Sequence, residues 1–179
     1  MLSARPNHMF ILALFSTLLL AGCNDNPSQS GARNEKPASF PATASTRPVL
    51  DVYKSPSCGC CGKWMDHLDT HGVDTVAHDA AQLGTANARL VVPAQYRACH
   101  TALSQEGYVF EGHIPARYVK QFLSELPAGA VGLAVPAMPV GSPGMEQGDD
   151  FTPYEVLLLK DDGSTEVYAT VSAAAEQYE

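Results

Sequence analysis

Val49-Leu50-Asp51-Val52-Tyr53, Lys54-Ser55-Pro56-Ser57, then Cys58-Gly59-Cys60-Cys61-Gly62-Lys63-Trp64-Met65-Asp66-His67-Leu68 is the stretch that decides the fold. Its first five residues read as a strand, and the Ser-Pro segment breaks it. From Cys60 to His71, Cys61, Trp64, Met65 and Leu68 recur at three- and four-residue spacing, the stripe of an amphipathic helix. Gly72 supplies the usual helix stop, and Val73 to His78 returns as a second strand. Strand, helix, strand, with thiols at the first junction, opens an α/β domain.

Downstream the pattern continues. Ala86 to Val91 is a short helix candidate, and Pro93 to Cys99 a helical turn or loop. Thr101-Ala102-Leu103 and Tyr108-Val109-Phe110 flank Gln105-Glu106-Gly107, a hairpin signal. Ile114 to Leu126 carries Tyr118, Phe122 and Leu126 at four-residue steps and reads as an amphipathic helix. Pro136 to Asp150 is a loop rich in Pro, Gly and Met. Val156–Leu159 and Glu166–Thr170, around Asp161-Asp162-Gly163, form a last hairpin. The expected architecture is α/β: a thioredoxin-like sandwich with an added C-terminal β-hairpin. There is no internal repeat.

Upstream the chain changes character. Arg5 precedes an apolar run, Met9 to Leu20, too short for a membrane span of about 20 residues. The run closes in Leu20-Ala21-Gly22-Cys23, which resembles the lipobox of bacterial lipoproteins, where the signal peptide is cut before a lipidated cysteine. The alternative is a plain secretory signal cut near Ala21. We expect residues 1–22 to be a signal peptide and residues 23–46, poor in large apolar groups, a lipidated flexible tether starting at Cys23. Residues 47–172 are then the folded domain and 173–179 a tail. Asn24 rather than an aspartate after Cys23 favours the outer over the inner membrane. The expected location is the cell envelope, facing the periplasm, with the lipid as the only membrane contact.

The 179 residues carry a formal net charge of -8 and five cysteines. An acidic surface argues against nucleic acid as a partner. The cysteines do not form the framework of a small disulfide-stapled domain, because three of the five are crowded into Cys58, Cys60 and Cys61.

That crowding is the main chemical signal. A helix starting within Cys58–Cys61 presents unpaired N–H groups that favour thiolate, the form that binds metals and attacks disulfides. Lys63 adds positive potential. Neighbouring Cys60 and Cys61 have Cα atoms about 3.8 Å apart, short of the roughly 4.4–6.8 Å that a disulfide prefers. At most one bridge forms comfortably, and one thiol is left over. Cys99, followed by His100, leads into the strand that lies against the helix start in a thioredoxin-like fold, where a cis-proline is usual. Two readings stay open: four converging thiols holding a soft ion, for which Cu(I), zinc and iron–sulfur centres are the candidates, or a Cys58–Cys61 disulfide of the C-x-x-C kind with bystanders. Zinc sites usually use widely spaced C-x2-C pairs.

The further candidate ligands are His113, at the hairpin exit, and Met145, whose thioether suits Cu(I). Met138 is a similar thioether in the same loop, and for both methionines the alternative is covering apolar surface. His100 is a possible donor beside Cys99. Met65 and Trp64 read as core. His67 and His71, four apart beside Asp66 and Asp69, read as a solvated face. No phosphate loop, hydrolase triad or paired-carboxylate motif stands out.

At Tyr53–Cys61, Trp64, His67-Leu68, Cys99-His100-Thr101-Ala102, Glu111-Gly112-His113-Ile114-Pro115, Gly132–Pro136, Met138-Pro139 and Gly141–Glu146 the chain resembles the domain-of-unknown-function family DUF411, which includes the periplasmic copper-resistance proteins called CopG. The match runs in consistent order over about residues 48–171. The resemblance implies a thioredoxin-like fold and copper binding through Cys58, Cys60, Cys61 and Cys99. Two departures concern backbone shape: Ala137 where glycine is expected, and Val91-Val92 where Gly-Val is usual. Three functions follow: an envelope protein that holds Cu(I) and couples thiol to copper redox change, a thiol–disulfide oxidoreductase using Cys58 and Cys61, or a passive copper store or chaperone. Copper ions, and copper-efflux or periplasmic copper proteins, are the expected partners.

Overall fold

The computed structural model describes residues 47–85 and 92–178. The signal peptide, Cys23, the tether and the expected helix at Ala86–Val91 lie outside the described residues. Among those described, no helix is long and apolar enough to cross a membrane.

The fold is α/β, built on one seven-stranded sheet. In chain order the elements are β1 (Val49–Lys54), α1 (Gly59–Thr70), β2 (Asp74–Asp79), β3 (His100–Ser104), β4 (Val109–Gly112), α2 (Ala116–Glu125), β5 (Ala130–Val135), β6 (Tyr154–Lys160) and β7 (Thr165–Val171). Short 3-10 turns occupy Ala80–Thr85, Ala94–Tyr96 and Ala174–Gln177. Across the sheet the order is β2-β1-β3-β4-β5-β6-β7. β1 runs parallel to β2, and β4 to β5; the other neighbours are antiparallel.

Alternation along the strands builds two apolar layers. Leu50, Val52, Phe110, Leu133 and Leu158 point to the face covered by α1 and α2, where they meet Trp64, Leu68, Val119 and Phe122. On the other face Val109, Ala134 and Leu159 pack with Val92. α1 ends as its sequence suggests: Gly72 takes φ +89, and the Val73 N–H reaches the Leu68 carbonyl at 3.0 Å, closing the helix with a Schellman-type bond.

Three readings need correction or completion. The segment Ala130–Val135 is a central strand, β5, that the sequence pattern leaves unassigned; it is a continuous apolar run around Gly132, without alternation, because both its faces are covered. His67 is not on a solvated face. It is 8% exposed, and its Nε2 accepts the Ala116 N–H at 3.1 Å, satisfying a donor at the start of α2 that has no partner within its own helix. The helix expected from Ile114 starts at Ala116, because Pro115 holds the cap position in extended backbone. The described end of the chain is anchored: buried Gln177 accepts from the Tyr154 hydroxyl at 2.7 Å and donates to the Gly141 carbonyl at 3.0 Å.

Candidate metal centre

The register of the sheet brings the chemistry to one end. β1 ends at Lys54, and β3 begins at His100, directly opposite it. Thr101 pairs with Glu111 across the β3–β4 hairpin; two residues further along the same register, Cys99 faces His113. The turn after β1 is closed by the Cys58 N–H on the Ser55 carbonyl at 3.0 Å, and Cys58 is the cap of α1 without a side-chain cap bond. The positive end of the helix therefore acts on the sulfurs that sit there.

Cys58 and Cys61 are joined as a disulfide, whereas Cys60 and Cys99 are free and partly buried. Cys60 Sγ is 3.5 Å from Cys58 Sγ, and Cys99 Sγ is 3.5 Å from Cys61 Sγ. All four sulfurs lie within 4.8 Å of one another. The sulfurs of Cys58 and Cys61 become available as two thiolate donors only after a reductant supplies two electrons. Burial, followed by the neighbouring Cys60, pushes the Cys99 thiol up to about 12. With its pKa raised this far, Cys99 holds its proton at neutral pH when no metal ion is bound.

Two imidazoles flank Cys99. Its Sγ is 3.3 Å from His113 Nε2 and 3.3 Å from His100 Nδ1, and these three donors also converge within 4.8 Å. Both rings are fully buried. Burial lowers the pKa of each, that of His100 to about 3, so both are neutral at pH 7. His113 Nδ1–H donates to the Pro143 carbonyl at 2.8 Å. That bond assigns the ring hydrogen to Nδ1 and leaves the Nε2 lone pair directed at Cys99, the arrangement by which proteins orient metal-binding histidines. His100 lies against Trp64 with ring centres 4.3 Å apart and planes tilted by 38°, and its Nε2 is the one buried side-chain nitrogen or oxygen without a hydrogen-bond partner among the described residues. Trp64 is fixed in turn by Nε1–H donation to the Ile114 carbonyl at 2.8 Å.

The methionine loop reaches the same centre through its backbone. A Cβ on Gly144 would stand 2.6 Å from the Cys60 carbonyl oxygen and 2.8 Å from the Trp64 nitrogen. Gly144 thus rests on the first turns of α1, and its neighbour Pro143 reaches the site through the carbonyl that holds His113. Met145 is partly buried. Met138 is 37% exposed, and both it and Ala137, the position where glycine is expected, have positive φ, 47° and 65°. Two clefts elsewhere, of about 520 and 730 Å³, have no cysteine in their walls.

The structure brings together Cys58, Cys60, Cys61 and Cys99, and sets His113 and His100, both candidates from the sequence, beside Cys99. His67 and His71 are not among the converging donors; their rings lie tilted, 4.4 Å apart, near Tyr178. Sequence reasoning missed the role of the Pro143 carbonyl, which no side-chain pattern can show. It also missed Glu111, a wholly buried acid behind the site.

The family model described as "Protein of unknown function, DUF411" matches residues 96–145. The chain is 39% identical to a solved structure titled "Copper resistance protein copG- Form 1", with a TM-score of 0.62, covering 69% of this chain and 96% of that one. For "Copper resistance protein copG- Form 2" the values are 40% and 0.63, with 70% and 98% covered. No curated protein matches.

Proposed function

The chain belongs to the DUF411 family of CopG-like proteins, and on that premise we propose that it is a copper-binding protein of the cell envelope. In this reading Cu(I) is held by Cys58, Cys60, Cys61 and Cys99, with His113 and Met145 as further donors. The observation that carries it is the convergence of four sulfurs within 4.8 Å beside a neutral imidazole whose lone pair is aimed at Cys99. The donor set fits the ion: soft thiolates, a thioether and imidazole suit Cu(I). Zinc shares the thiolate and imidazole preference and is the alternative occupant.

The frame supports the reading. We read the order β2-β1-β3-β4, with β1 and β2 parallel and β3 antiparallel to both neighbours, as a thioredoxin-like frame, and β6 and β7 as the added C-terminal hairpin. In this reading Cys58 and Cys61 are the pair that undergoes redox exchange. Two Cu(II) ions oxidising the two thiols would yield two Cu(I), the disulfide and two protons. We place the domain on the periplasmic side, anchored through a lipidated Cys23, where it exchanges copper with efflux or periplasmic copper proteins.

Anaerobic titration of the fully reduced full chain with Cu(I) against a competing chelator tests this. Tight binding that weakens in Cys60→Ser and Cys99→Ser supports it. Micromolar or weaker binding, unchanged by Cys60→Ser, refutes it. The Cys58–Cys61 disulfide favours a second reading, a thiol–disulfide oxidoreductase; reductase activity that survives loss of both Cys60 and Cys99 selects that one. Transfer of copper to an acceptor without any redox change selects a store or chaperone.

A further inference from the structure

Glu111 has zero solvent exposure, and a carboxylate is costly to bury unless strong hydrogen bonds replace its water. Both its oxygens reach one short segment. Oε1 accepts the Ala98 N–H at 2.6 Å, and Oε2 accepts the Thr101 hydroxyl at 2.6 Å. Those partners bracket Cys99-His100. Glu111 also sits on β4 directly opposite Thr101, two residues before His113. One side chain therefore ties the strand that leads into His113 to the corner that bears Cys99. Its oxygens are not among the donor atoms that converge within 4.8 Å, so the carboxylate is not itself arranged as a ligand.

We propose that Glu111 is a positioning residue: its carboxylate clamps Ala98 and Thr101 so that the Cys99 sulfur is held against Cys61 and His113. Its bearing on copper rests on the copper-site reading; its bearing on the thiol does not.

Replacement Glu111→Gln keeps the shape but changes the bonding. The amide oxygen still accepts the Ala98 N–H. The amide –NH2 then faces Thr101 Oγ1, which must turn from donor to acceptor. Thr101→Val removes one arm and leaves the other. The test uses the oxidised full chain without metal, alkylated with iodoacetamide and followed residue by residue by mass spectrometry. Cys99 is expected to react several-fold faster in Glu111→Gln and by a smaller factor in Thr101→Val, while Cys60 keeps its wild-type rate in both. An unchanged Cys99 rate, or an equal rise at Cys60, overturns the proposal, the latter because it marks general loosening. In the reduced chain, Glu111→Gln is expected to weaken Cu(I) by about 10- to 100-fold and to add nothing to the loss caused by Cys99→Ser. An additive loss refutes action through Cys99. A wild-type chain that binds no Cu(I) sinks the copper reading and leaves the alkylation result to decide Glu111.

Discussion

Gly144→Ala is the perturbation that tests how the methionine loop is seated on the thiol-bearing helix. The position has φ +86, and an added Cβ would come to 2.6 Å from the Cys60 carbonyl oxygen, 2.8 Å from the Trp64 nitrogen and 3.3 Å from the Trp64 Cα. All three are backbone atoms in the first turns of α1, so no side chain can swing aside. Holding a non-glycine residue in the left-handed region costs about 1–2 kcal/mol, and overpacking a tight contact about 1–3 kcal/mol. The sum, about 2–5 kcal/mol, lowers the melting temperature by roughly 10 °C or more in a domain of this size. Retreat of the loop would also draw the Pro143 carbonyl away from His113 Nδ1, now 2.8 Å apart, and so free the ring that faces Cys99. Gly148→Ala is the control: its φ is +59 but nothing lies within 4 Å of its added Cβ, so it carries the conformational cost alone. Thermal unfolding by circular dichroism, with Cu(I) competition on the same samples, reads both effects. Equal melting temperatures for the two variants, with wild-type copper affinity in Gly144→Ala, would refute the packing argument.

Three further outcomes follow. Burial, then His71, lowers the pKa of His67 from 6.5 to about 4, so between those values the unfolded chain takes up a proton that the folded chain refuses. The stability contributed by neutral His67 is present above pH 6.5 and falls away toward pH 4, by about 2 kcal/mol at pH 5; in urea unfolding against pH, His67→Gln should lack this part of the slope, and parallel slopes would contradict the assignment. Gln177→Ala leaves the Tyr154 hydroxyl and the Gly141 carbonyl without their present partner, at a cost of about 1–3 kcal/mol, and should speed amide exchange in the 139–145 loop more than in α2. Because the Cys58–Cys61 bridge withholds two of the four thiols, copper capacity measured by native mass spectrometry should fall in the oxidised chain and return on reduction.

The sequence was most legible where periodicity and punctuation agree. Cys61, Trp64 and Leu68 announced α1 and Gly72 its end, and the Gln105-Glu106-Gly107 turn set the β3–β4 register that carries Cys99 to His113. Ala130–Val135 was not legible as a strand, because a strand covered on both faces shows an unbroken apolar run instead of alternation. His67 was misread from its acidic neighbours, although its spacing from Trp64 and Leu68 already put it on the buried face. Glu111 shares its strand face with Val109, but a burial of that kind is visible only once Ala98 and Thr101 are seen to close on it. The orientation of His113 depends on a backbone carbonyl thirty residues away, which residue types do not reveal.

The central claim, a copper centre built from four cysteines with His113, is tested most directly by metal analysis of the full chain purified anaerobically from its native envelope. The account predicts copper in stoichiometric amount or above, lost in Cys60→Ser and Cys99→Ser. Zinc in its place, or protein without metal that stays so after reduction and exposure to Cu(I), would contradict it.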